Sequence, residues 1–287
     1  TKQIAYFRWL ILFLSFCLVT NAFADKNPKT SFKSIESLDE ILSVISEKQN
    51  NLVIFDIDGT LIVPASALLD LSICPRSFLK QLNCVYEQKE TLFEEVFFKA
   101  LNQCPQKLTE PGLPELVQKI KEKNSKIIAL TNRAADITRT VPQLESVGLD
   151  FSFSFRRLGH LKLGEKSNQA GASFYEGVIF ASGKDKGKIL GEFLDKIDYP
   201  VQKIIFIDDQ IPFLESVDAE LKQRGISHAC YHYIGWEKNK PKDFDTTLSS
   251  FQWLYFLVNE KWIDDDKAKL LFKAQNDNPL ESMCQCN

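Results

Sequence analysis

Phe55-Asp56-Ile57-Asp58-Gly59-Thr60-Leu61 is the segment of this sequence best suited to chemistry. Two carboxylates spaced i and i+2, leaving an extended apolar strand, point to the same side of the chain, and Gly59 lets the backbone turn tightly behind them. Such a pair can divide labour: Asp56 could attack a phosphorus atom, while Asp58 protonates the leaving oxygen and then deprotonates the water that releases phosphate. Attack by one anion on another requires neutralising charge. Asp208 and Asp209, which follow Lys203-Ile204-Ile205-Phe206-Ile207, bring further carboxylates, so that Asp56, Asp58 and Asp209 could hold a hard divalent cation such as Mg2+. Lys186, opening a helical pattern, offers an ammonium group to phosphate oxygens, with Lys184 as its rival; Thr131 offers a hydroxyl donor.

These residues need elements to position them. Leu52-Val53-Ile54-Phe55, Ile127-Ile128-Ala129-Leu130 and Ile204-Ile205-Phe206-Ile207 are short, unbroken apolar runs, the pattern of strands buried on both faces of a parallel sheet. Helical patterns at 113–123 and 187–197 feed into the second and third runs, which predicts an α/β fold with a doubly wound parallel sheet. Ligands of such sheets bind outside the carboxyl ends of the strands. The three runs end at Asp56, Thr131 and Asp208. Residues 34–48 read as a helix capped by Ser34, residues 228–234 as a strand, and the interval 150–182 as β-like, with Phe151, Phe153 and Phe155 alternating with serines. Residues 61–109 carry their own helical pattern and read as a small cap insertion over the crevice. The aromatic-rich tail, with helical spacing at 244–263 and 268–274, is expected to pack back on the sheet. The expected division is therefore a core of 25–60 and 110–287 with a helical cap at 61–109.

The four elements are matched in order: Asp56-Ile57-Asp58-Gly59-Thr60, Thr131, Lys186 and Asp208-Asp209. On them the chain resembles the haloacid-dehalogenase-like superfamily, and within it an exported bacterial branch. The resemblance spans 52–225 as a framework. It implies a Rossmann-like core, an Mg2+ cofactor and phosphomonoester hydrolysis through an aspartyl-phosphate. It casts Asp56 as nucleophile and metal ligand, Asp58 as acid/base with its carbonyl on the metal, and Thr131 and Lys186 as phosphate binders. Asp209 becomes the side-chain metal ligand and Asp208 a support for Lys186 or the metal waters. Phe213 stands where the superfamily often has Asp or Asn, so that either metal affinity is lower or Gln210 or Glu215 compensates. Dehalogenation is disfavoured, because that reaction has no leaving oxygen for Asp58 to protonate.

Composition sets the setting. The 287 residues are 44% hydrophobic and 25% charged, which excludes collagenous and wholly disordered classes. Residues 1–24 hold Lys2 and Arg8, an apolar run from Trp9 to Val19 and Ala22-Phe23-Ala24, the order of a signal peptide cut before Asp25. The run is shorter than the roughly 20 residues a membrane span requires, so no stable span is expected after cleavage. A periplasmic or secreted protein follows. The net charge of −3 becomes −5 on loss of Lys2 and Arg8, which argues against nucleic-acid partners and leaves a small phosphorylated substrate. Of seven cysteines, Cys17 lies in the signal segment, and the remaining six allow several pairings. His228 and His232, four apart in a strand-like stretch, lack the helical zinc pattern. The alternative function is an exported binding or host-interaction module of the same fold with little or no turnover.

Overall fold

The computed structural model describes residues 32–84, 90–164 and 171–277. The expected signal segment, Cys17, Cys284 and Cys286 lie outside these residues. Chain order is β1 (Lys33–Ile35), a 3-10 helix (Leu38–Val44), β2 (Asn51–Phe55), β3 (Ile62–Pro64), α1 (Arg76–Cys84), α2 (Glu90–Gln103), β4 (Gln106–Leu108) and α3 (Leu113–Glu122). It continues through β5 (Lys126–Thr131), α4 (Ile137–Glu145), a 3-10 turn (Arg156–Leu158), β6 (Leu161–Leu163), β7 (Ala172–Tyr175), β8 (Val178–Phe180) and α5 (Lys186–Leu194). Last come β9 (Lys203–Asp208), α6 (Ile211–Gln223), β10 (Ser227–Tyr233), α7 (Gly235–Asn239), α8 (Thr246–Asn259) and α9 (Asp265–Asp277). Two compact units result, one of Thr1–Val63 with Leu108–Asn239, the other of Pro64–Lys107 with Lys240–Asn287.

The first unit is a mixed α/β layer structure on an eight-stranded sheet of order β1-β10-β9-β2-β5-β8-β7-β6. From β1 to β8 along that order, neighbours are parallel; β7 and β6 complete one edge antiparallel. Two-sided burial explains the unbroken apolar runs. Val53, Phe55, Ile127, Ala129, Ile205 and Ile207 face one core with α3 and α4, whereas Leu52, Ile54, Ile128, Leu130, Ile204 and Phe206 face another with α5 and α6. Alternate residues thus enter opposite cores, so every position must be apolar.

Two local expectations are corrected. Residues 34–48 do not form one helix: Lys33–Ile35 pairs with β10, and the helix starts later, at Ser37, whose hydroxyl and Glu40 make a capping box. The Phe-Ser alternation at 151–155 is a turn, not a strand. Phe151 enters one core and Phe155, at φ 58, packs beside the other, so aromatic burial here comes from a chain reversal. The strands of this interval are β6 to β8, and β7 and β8 are joined by Glu176-Gly177, both at positive φ, as a tight hairpin requires.

The second unit corrects the domain division. Residues 240–277 belong with the insertion and not with the sheet. Trp253, Phe256 and Trp262 share one core with Leu68, Phe78, Phe93 and Phe97; the Phe93 and Trp253 rings lie 5.6 Å apart. Gln252 Nε2 donates to Ser66 Oγ, the Ile263 carbonyl and Asp265 Oδ1, and Asp265 Oδ2 accepts from the Ala67 amide, which ties the two chain segments together. A tail of aromatics at helical spacing needs an apolar partner, and the short helices α1 and α2 leave one uncovered without it. Among the described residues no helix is long and apolar enough to cross a membrane.

Candidate functional site

β2 lies between β9 and β5, so the carboxyl ends of all three strands fall side by side. Asp56 leaves β2 with its amide still bonded to the Ile207 carbonyl at 2.9 Å. The chain then reverses: the amides of Leu61 and Ile62 both return to the Ile57 carbonyl, with Gly59 at φ 83. Gly59 has a second reason to lack a side chain. A Cβ there would come within 2.7 Å of Asp209 Oδ2, so the glycine lets the aspartate after β9 approach the turn after β2.

Lys186 is the centre of charge. Fully buried, its Nζ donates to Asp56 Oδ1 at 2.6 Å and to Asp208 Oδ2 at 2.7 Å. Burial disfavours the ammonium, but Asp208 and Asp56 outweigh it and hold the lysine protonated. The helix that carries it is placed by close packing: Gly187 lies against the Ser216 backbone, where a Cβ would collide, and its amide donates to Ser216 Oγ at 2.8 Å. Lys184, the rival, lies instead over Gly164. Phe213 presents its ring to Lys186, with Nζ 4.2 Å from the centroid, a cation–π contact. That contact is what this chain has at the position where the resemblance leads one to expect an acid or amide. Glu215 is exposed and lies outside the carboxylate group of the site.

Asp56, Asp208 and Asp209 gather so that one carboxylate oxygen from each lies within 4.8 Å of the others. Burial, then the Asp208 and Asp56 carboxylates, push Asp209 well above its ordinary value. Burial likewise pushes Asp56 up to about 7, against the opposing pull of Lys186. Asp209 Oδ1 is enclosed and has no hydrogen-bond partner. Three carboxylates facing one ammonium, one of them with an orphaned oxygen, fit a hard divalent cation. Asp208 also accepts from the Gln210 amide through Oδ1 at 2.8 Å, and His232 Nε2 lies 3.0 Å from the Asp209 carbonyl, which fixes the proton on that nitrogen.

Asp58 is placed differently from Asp56. Its carboxylate is gripped by Arg133, with Nη2 donating to Oδ1 at 2.6 Å and Nε to Oδ2 at 2.7 Å. Burial raises the Asp58 carboxyl, but the guanidinium outweighs it and holds the group below its ordinary value. Nη1 of Arg133 reaches Gln143 Oε1 and Thr140 Oγ1 on α4, so the guanidinium is held from two sides. Thr131 is buried, and its Oγ1 accepts from the Arg133 amide at 3.1 Å, which leaves the hydroxyl proton to donate elsewhere. The structure therefore brings Asp56, Lys186, Asp208 and Asp209 into one cluster, with Asp58 and Thr131 beside it on Arg133. The clamp by Arg133 and the ring of Phe213 are the parts that sequence reasoning missed; the position of Arg133 two residues after Thr131 was the available signal for the first.

Sequence relatives are bacterial. An uncharacterized protein of Rickettsia prowazekii (strain Madrid E) is 27% identical over 233 residues, covering 78% of this chain and 84% of its own. The "Putative outer membrane protein" of Chlamydia trachomatis serovar D is 26% identical over 251 residues, covering 85% and 91%. Among solved structures, similarity is found to the class C acid phosphatase from Bacillus anthracis with tungstate bound, at 13% identity and a TM-score of 0.33 over 72% of this chain and 86% of that one. The HAD domain of the effector protein Lem4 from Legionella pneumophila gives 16% identity and a TM-score of 0.33 over 78% and 99%. Similarity this distant leaves the chemistry to be read from the site itself. At family level the match is broad: residues 34–269 fit the family described as "Protein of unknown function (DUF2608)", and the chain belongs to that family.

Proposed function

We propose that this protein is an exported phosphatase that hydrolyses a phosphomonoester through an aspartyl-phosphate, with Mg2+ as cofactor. The observation that carries the reading is the buried Lys186 held between Asp56 and Asp208, with Asp209 in the same group of carboxylates. Lys186 occupies Oδ1 of Asp56 and leaves Oδ2 for attack on phosphorus. As the Asp56–phosphorus bond forms, the ester P–O bond breaks, and the leaving oxygen takes a proton from Asp58. Asp58, now ionised, takes a proton from water; that water oxygen bonds phosphorus, and the Asp56–phosphorus bond breaks to free phosphate. Thr131 donates its hydroxyl and Lys186 its charge to the phosphoryl oxygens. Asp56, Asp209 and the Asp58 carbonyl are the groups that would hold Mg2+, with Asp208 supporting Lys186. The bound cation would supply the positive charge that lets a carboxylate approach an anionic ester. Export is supported by the basic, apolar, small-residue order of 1–24 and by the outer-membrane naming of the chlamydial relative. Purified protein should release phosphate from p-nitrophenyl phosphate in Mg2+ and lose that activity in EDTA; equal rates in both would refute the reading.

One observation favours a second reading. Arg133 holds Asp58 in its ionised form, which is the wrong form for protonating a leaving group, as befits a module that binds a phosphorylated ligand with little turnover. The two readings separate in the pH profile of Arg133→Gln. If Asp58 is the acid, its protonated fraction falls as pH rises through its pKa. Loss of the guanidinium removes what depresses that pKa, so the limb of kcat/KM that reports Asp58 moves to higher pH. A limb that stays in place removes Asp58 from the acid role.

A further inference from the structure

A second group of ligating side chains lies on the same unit, apart from the carboxylate cluster. His228 and Cys230 stand two apart on β10, hence on one face of the strand, and that face meets α6, where Asp218 lies. One carboxylate oxygen of Asp218, one ring nitrogen of His228 and the sulfur of Cys230 are all within 4.8 Å of one another. Cys230 is buried and unbonded to any other cysteine. Asp218 and His228 are 19% and 12% exposed at their side chains, enough for water to reach an open coordination position.

The histidine carries the argument. Its Nδ1 lies 2.7 Å from the Ile226 carbonyl and its Nε2 lies 3.0 Å from Asp218 Oδ1. Both partners are acceptors, so a neutral imidazole, which has one N–H, satisfies only one of them. Nδ1 must be the protonated nitrogen, because a carbonyl offers nothing else to bond. Nε2 then aims a lone pair at a carboxylate oxygen unless something positive lies between them. A proton can fill that place; so can a metal ion, and an imidazole whose far nitrogen donates to a backbone carbonyl is the usual posture of a ligating histidine. The thiol beside it distinguishes the two. A lone proton has no use for a buried sulfur at this point, whereas a borderline-soft ion takes oxygen, nitrogen and sulfur together.

We propose that Asp218 Oδ1, His228 Nε2 and Cys230 Sγ form a binding site for one Zn2+ ion, with water at the fourth position. The cysteine loses its proton on binding, so one S–H bond is exchanged for one S–Zn bond and a proton leaves to solvent. Lys222, whose Nζ lies 2.7 Å from Asp218 Oδ2, holds the other carboxylate oxygen and keeps Asp218 monodentate. A Cys-His-Asp hydrolytic triad does not fit, because both ring nitrogens already face oxygen atoms and neither is set to take the thiol proton. Mg2+ does not fit either, since it disfavours sulfur. The site is therefore chemically distinct from the carboxylate cluster.

Cobalt(II) reports the difference, because only a sulfur ligand gives it a thiolate charge-transfer absorption. Full-length protein titrated with Co2+ should develop that absorption to saturation at one equivalent, and Zn2+ should abolish it. Cys230→Ser and His228→Gln should each remove it and weaken Zn2+ binding by at least about tenfold, with far-UV circular dichroism unchanged. Cys74→Ser and Cys104→Ser should retain it. Absence of the band in the wild-type protein overturns the proposal. So does a band that survives Cys230→Ser, which would place the sulfur ligand elsewhere, as on Cys284 and Cys286. If Cys230→Ser does not fold, Asp218→Asn takes its place: the band then persists with Zn2+ bound more weakly, and unchanged affinity overturns the assignment.

Discussion

Asp56→Asn should reduce phosphate release by at least about 10^4-fold, the order of loss seen when a catalytic nucleophile is removed from an enzyme. The amide keeps the size and most of the hydrogen bonding of the carboxylate, so Lys186, 2.6 Å from Asp56 Oδ1 in the wild type, keeps an oxygen acceptor there. What is lost is an oxygen able to attack phosphorus. Stability should change little or rise, because the carboxyl that burial pushes up to about 7 is replaced by a neutral group. Steady-state phosphate release and thermal melting of the same preparation check both parts together. A variant that keeps activity within tenfold of wild type would remove Asp56 from the chemistry, whereas a variant that merely unfolds shows itself in the melting curve. Acid-stable radiolabel retained by wild-type protein from a labelled phosphomonoester, and absent from the variant, would identify the covalent step directly.

The strand positions were readable because two-sided burial demands apolar residues at every place, and such a demand leaves a continuous signal in β2, β5 and β9. The residues that end those strands were readable for the same reason: a carboxylate or hydroxyl after four buried apolar residues is conspicuous. Arg133 was not, since its partner lies 75 positions away in sequence and an arginine after a strand has many other uses. Phe213 was readable as a departure but not as a contact. Its ring position depends on how α6 leaves β9, and sequence does not specify that angle. The tail failed for another reason. α8 is apolar on more than one face, so its pattern says that it is buried without saying by what, and the insertion supplies the partner at Phe78, Phe93 and Phe97. The turn at 151–155 misled because alternation of Phe with Ser is also what a chain reversal between two cores produces.

Asp209→Asn is the variant whose effects should run in opposite directions. Of the three clustered carboxylates, Asp209 is the one that Lys186 does not bond, and its Oδ1 has no partner. In the absence of a divalent cation its ionisation would put a third negative charge on a buried cluster with one ammonium, which is why its carboxyl is held well above its ordinary value. Removing that charge should leave the metal-free protein as stable as wild type or more so. Ligand binding stabilises a fold by about 2.7 kcal/mol at a hundredfold excess over Kd, which for a domain of this size raises Tm by roughly 5–10 °C. Wild-type protein freed of divalent cations beforehand should therefore melt several degrees higher in saturating Mg2+ than without it, while Asp209→Asn should melt at one temperature in both. Activity in Mg2+ should fall by at least about 100-fold, since loss even of a group that supports a metal ligand costs 10- to 100-fold. The opposed signs matter: a residue needed only for folding would lower Tm in EDTA and activity together. A wild-type Tm indifferent to Mg2+ would take the cation away from this cluster and leave Asp209 without the role assigned to it.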